Sequence, residues 1–88
     1  MKVIYKYKLD VTDRQSLQLP KSYQILKVDM QNGVLCLWAL VDPDNDSVCC
    51  TIDIIGTGHA GIDDNTPRRH LNSVFDGPFV WHVFEVLS

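Results

Sequence analysis

The pattern of apolar and polar positions changes character along the chain. Residues 2–9 alternate, with Val3, Tyr5, Tyr7 and Leu9 against Ile4, Lys6 and Lys8. This predicts a strand whose lysine-bearing face suits a sheet edge. Residues 26–31 alternate too, with Leu26, Val28 and Met30 opposing Lys27, Asp29 and Gln31. Residues 34–41 do not. Leu35, Leu37, Ala39 and Val41 line one face, and Val34, Cys36, Trp38 and Leu40 line the other. Such a strand is expected at the centre of a sheet, covered on both sides. Between these last two runs stands Asn32-Gly33. That pair marks a two-residue hairpin, because a type I′ turn needs positive φ at both central positions.

The other runs are shorter or less regular. Residues 16–19 form a brief strand that Pro20 ends, since proline cannot donate to a ladder. Residues 48–55 place Cys50, Ile52 and Ile54 on one face and Cys49, Thr51, Asp53 and Ile55 on the other. Residues 70–75 read as a strand, Asp76-Gly77 as a tight turn, and residues 78–87 as a last long strand paired with it. That strand is again apolar on both faces, with Phe79, Trp81, Val83 and Leu87 against Val80, His82, Phe84 and Val86. Thr66-Pro67 has the chemistry to start one helical turn. About seven antiparallel strands built on two hairpins predict an all-β fold, a small sandwich or flattened barrel.

With 88 residues, the whole span 1–88 is read as a single domain. Eleven acidic and eight basic residues leave a formal charge of −3 and no basic stripe, which argues against nucleic-acid binding. The one basic pair, Arg68-Arg69, reads as solvated loop charge. No run suits a membrane span, and the first residues lack the pattern of a secretory leader. Three cysteines, an odd number, fit free thiols in a reducing cytoplasm, and all three read as small buried hydrophobes.

Candidate chemistry is sparse. Asp42, Asp44 and Asp46 have the spacing that opens a calcium loop, with Asp53 in twelfth place. Ser47 stands where the loop's bend wants glycine, so these aspartates read as turn residues. His59, His70 and His82 match no short zinc motif. No metal or cofactor is therefore expected, and no nucleophile–base pairing stands out. In the loop Gly56-Thr57-Gly58-His59 the glycines free the backbone to approach a ligand, and successive amides can form an anion-binding nest. A small-ligand role, for a nucleotide or an anion, would rest on Gly56, Thr57, Gly58 and His59.

The second apolar faces of residues 34–41 and 80–87 exceed what one thin core requires. The expectation is burial between chains, as a homodimer or against another protein. Trp38, Leu40, Trp81, His82 and Phe84 are its candidate interface residues, because large aromatics dominate interface energetics.

Three blocks, PKSYQILKVDMQNGVLCLWALVDP, IIGTGH and FVWHVFE, occur in this order and spacing. They resemble a family of small proteins encoded by bacteriophages and prophages. The resemblance runs from the first strand through Glu85 and implies a phage accessory protein made in the bacterial cytoplasm. Proteins of that kind often bind a host protein, including components of host defence. It carries over no catalytic or binding residue. The function expected is therefore non-enzymatic protein–protein interaction, with small-ligand binding at Gly56–Gly61 as the alternative.

Overall fold

The computed structural model describes residues 1–87; Ser88 lies outside them. Seven strands follow one another: β1 (Val3–Leu9), β2 (Arg14–Pro20), β3 (Gln24–Gln31), β4 (Val34–Val41), β5 (Ser47–Gly56), β6 (Arg68–Asp76) and β7 (Phe79–Val86). They form a three-stranded sheet of order β1-β4-β3 and a four-stranded sheet of order β2-β5-β7-β6, with every pairing antiparallel. The architecture is a small sandwich. It does not close into a barrel, because β1 and β2 each pair on one side only and not with one another.

Both hairpins form. In the first, Gln31 pairs with Val34 around Asn32 and Gly33, whose φ values are +51° and +78°. Both are left-handed, as a type I′ turn demands. In the second, Asp76 pairs with Phe79, so Gly77 and Pro78 are the central residues, one place later than Asp76-Gly77. Gly77 has φ +56°, while the proline ring holds Pro78 near its fixed negative φ. That is a II′ arrangement, with a left-handed residue at the first position only.

The core is built from one face of each sheet. Leu35, Leu37, Ala39 and Val41 of β4 are buried, and Cys50, Ile52 and Ile54 of β5 meet them with Leu9, Leu19, Val28, Val74 and Val83. Each fully buried leucine, isoleucine or valine contributes roughly 1.5–3 kcal/mol. One side of the sandwich is seamed where β3 lies beside β6. There Asn72 donates from Nδ2 to the Val28 carbonyl at 2.6 Å. The Tyr23 hydroxyl donates to Glu85 Oε2 at 2.5 Å, and Arg69 Nη2 donates to Oε1 at 2.7 Å. Glu85 is thereby accommodated at 4% exposure. Burial, then its bonds to Cys50 and Glu85, push the Tyr23 phenol strongly upward, so it stays a donor.

Four local expectations are corrected. A bulge between Ile25 and Lys27 breaks the alternation of β3, so Ile25 packs on the core while Leu26 is 46% exposed. Cys49 is exposed, unlike Cys36 and Cys50. No helical turn starts at Thr66, whose N–H and hydroxyl donate instead to the Asp63 carboxylate. Strand β4 is central, but only its inner face is fully covered; Trp38 and Leu40 on the outer face stay half-buried.

Gly33→Ala is expected to cost about 1–2 kcal/mol, the penalty of a left-handed conformation for a residue with a Cβ. Urea denaturation of the purified variant checks this.

Candidate functional site

Strands β5 and β6 both run antiparallel to β7, which lies between them. They therefore point the same way, and residues 57–67 must carry the chain back along the sheet. Under this link lies a cleft of about 400 Å³. Its walls come from the turn after β1 (Val11, Asp13), the start of β2 (Arg14), the end of β5 (Asp53, Gly56), the link itself (His59, Gly61, Asp63), Arg68 and Trp81.

The Gly-Thr-Gly-His segment shapes one wall, and each of its residues has a separate task. The His59 N–H donates to the Gly56 carbonyl at 3.0 Å, closing a four-residue turn. Gly58 supplies the left-handed third position of that turn at φ +83°. Gly56 supplies room, since a Cβ there would stand 2.7 Å from His59 Nδ1 and 2.9 Å from Trp81 Cζ3. The His59 and Trp81 rings can therefore approach, with centroids 6.3 Å apart. Phe79 stacks on Trp81 at 5.4 Å, and the indole N–H donates to Asp76 Oδ2 at 3.0 Å. Trp81 is thus fixed in orientation. Thr57 points elsewhere, to His82.

The same cleft is lined by an ion-pair network centred on Asp53, which pairs with Phe84 on the outer face of the sheet. Arg14 donates from Nε to Oδ1 at 2.6 Å and from Nη2 to Oδ2 at 2.9 Å. Arg68 Nε donates to Oδ2 at 2.7 Å. The Asp53 side chain is 4% exposed and that of Arg68 is 8%, so Arg68 is not the solvated loop charge its sequence suggests. Arg68 also anchors the link, donating from Nη1 to the Asp63 carbonyl at 3.3 Å. The Asp63 carboxylate accepts in turn from the N–H groups of Asn65 and Thr66. Hydrogen bonds from Arg14 hold the Asp53 carboxyl below the usual range against the opposing effect of burial, with Arg68 adding to them. The Thr66 hydroxyl and backbone do the same for Asp63.

The candidate interface residues do not share one surface. Trp38 and Leu40 lie on the outer face of the three-stranded sheet, with Trp38 in register between Lys6 and Lys27. His82 and Phe84 lie on the outer face of the four-stranded sheet, among Val80, Ser73 and Phe75. Trp81 faces the cleft. Ser73, unremarkable in the sequence, sits between two imidazoles, its Oγ 2.7 Å from His82 Nδ1 and 2.9 Å from His70 Nε2. In a nucleophilic triad the far nitrogen of the histidine meets a carboxylate. Here His82 Nε2 meets the Thr57 hydroxyl at 2.7 Å. Asp42 caps its own turn, accepting from the Asp44 and Asn45 N–H groups. No group of three or more His, Cys, Asp or Glu side chains that could hold a metal ion occurs among the described residues. Nor is any helix of the described residues long and apolar enough to cross a membrane.

Breaking the network should be costly. Asp53→Asn leaves the guanidinium of Arg68 buried without its main partner, an expected loss of about 3 kcal/mol. Because the folded state lowers the Asp53 pKa, the wild-type network contributes fully above the unfolded carboxylate pKa, and its contribution declines as pH falls through the folded value. Denaturation midpoints should therefore fall from pH 5 towards pH 2 by less in the variant than in the wild type, a difference measurable by circular dichroism.

No curated protein and no solved structure matches the chain. A family model, described as a domain of unknown function (DUF7352), matches residues 1–88. The chain belongs to that family.

Proposed function

We propose that the protein acts without catalysis, by protein–protein contact, and that its first partner is a second copy of itself. One observation carries this reading. The second faces of β4 and β7 are left unfinished by the single chain, with Trp38, Leu40, Val80, Phe84 and Val86 all half-buried. Beside Val80, Phe75 is 81% exposed. Large aromatics in that state favour an interface.

Charge chooses between the two outer faces. That of the three-stranded sheet carries Lys6, Lys8 and Lys27 against the single Asp29, so two copies would repel across it. On the four-stranded sheet, Phe75, Ser73, His70, Val80, His82 and Phe84 form a patch whose neighbouring charges, Asp53 with Arg14 and Arg68, are paired with one another. Such a patch lets two chains of the same net charge meet without a like-charge penalty. Burying about 400 Å² of apolar surface there gives roughly 10 kcal/mol, against association costs of about 4–15 kcal/mol. The dimer is a reversible one. The lysine-rimmed Trp38 face stays free for a second, acidic partner. The resemblance to phage-encoded proteins supports a host protein in that place and the bacterial cytoplasm as the setting.

Size-exclusion chromatography with light scattering is expected to show a concentration-dependent dimer. Phe75→Ser should shift it to monomer while changing stability by no more than about 0.5 kcal/mol, as for an exposed site. A wild type that stays strictly monomeric at every concentration removes the reading.

A further inference from the structure

We propose that the cleft beneath residues 57–67 binds a 6-oxopurine ring, as in guanosine, and does so independently of any dimer. The volume, about 400 Å³, falls in the range of small-molecule sites. One wall is aromatic and held in place: Trp81 is fixed by Phe79 and Asp76, and His59 is brought beside it across Gly56. Such a wall favours a flat ring, because base–aromatic stacking contributes about 1–3 kcal/mol per base.

Arg14, at the rim of the same cleft, sets the chemistry of the ring's edge. Arg14 spends Nε and one Nη2 hydrogen on Asp53. Its Nη1 hydrogens and the second Nη2 hydrogen meet no acceptor among the described residues, and the side chain is 53% exposed. The free end of a guanidinium presents two parallel N–H donors, a match for the O6 and N7 acceptors of guanine. Adenine places a donor at the same edge and is disfavoured there. The bound carboxylate of Asp53 keeps the Arg14 fork from swinging, so the edge is presented in one orientation.

Charge excludes a phosphate-driven site. Arg14 and Arg68 are balanced by Asp53 and Asp63, which leaves no net positive field to attract a polyphosphate. Recognition should therefore reside in the base. This distinguishes the site from an anion nest of backbone amides. The Thr57 and His59 N–H groups are in any case already donated to Val80 and Gly56.

The chain has two tryptophans, so Trp38→Phe leaves Trp81 as the sole tryptophan, read by selective tryptophan excitation, in an otherwise intact protein. Titration with guanosine should change its emission saturably, with adenosine about tenfold weaker, the fold-change of one lost bidentate contact. His59→Ala, at an exposed position, should leave the thermal midpoint in place and weaken guanosine about tenfold by removing half the aromatic wall. The Trp81 indole N–H resonance of the wild-type chain reports the same binding without any substitution. No saturable response to guanosine by either readout would overturn the proposal, as would equal affinity for adenosine. GTP or inorganic phosphate binding more tightly than guanosine would do so as well, by assigning the cleft to phosphate.

Discussion

Asp53 is the joint on which the four-stranded sheet and its longest connection both turn. Burying a carboxylate costs several kcal/mol unless its lone pairs are taken up. Here Arg14 at the start of β2 and Arg68 at the start of β6 take them up from both sides. Those two strands lie on opposite edges of the sheet. The same Arg68 then holds Asp63 and so fixes the path of residues 57–67. One side chain thus sets the edges of the sheet and the roof of the cleft.

Glu85 plays the matching part at the seam. It ties Tyr23, which precedes β3, to Arg69 of β6. The two buried carboxylates therefore fasten the places where backbone pairing is weakest, namely a return link and a junction between two sheets. Hydrophobic burial supplies the driving force but has no direction. The carboxylates give these places their geometry.

The Gly-Thr-Gly-His segment shows how four adjacent residues divide their work. Gly58 provides a conformation, Gly56 provides space, His59 faces the cleft and Thr57 faces the outer surface. The cleft and the apolar outer face are thus neighbours in sequence and adjoin in space, since Asp53 and Ile55 of the cleft pair with Phe84 and His82. A strand apolar on both faces need not be covered on both by its own chain, as β4 and β7 illustrate. Lys6 and Lys27 flank Trp38, and long lysine stems can shelter aromatic surface without a second layer of protein.

Much of the fold was legible in the sequence. The alternation of β1, the double-faced β4 and β7, and the Asn32-Gly33 turn all reflect interactions between residues a few positions apart, where period and turn chemistry act directly. The wall-forming residues Gly56 and His59 were legible for the same reason. Arg68 was not, nor was Ser73. What a side chain meets across strands depends on register, and the Arg14–Asp53 and Tyr23–Glu85 pairs join residues 39 and 62 positions apart. The bulges at Leu26 and Leu71 shift that register by one, and no local pattern announces them. The sequence by itself determined the inward face of β4 and the reversal at Asn32-Gly33, because those depend on a backbone period of two and on a left-handed turn. Only the tertiary structure decided which charges meet and where a cleft opens, because those depend on distances between strands that the chain brings together only when it folds.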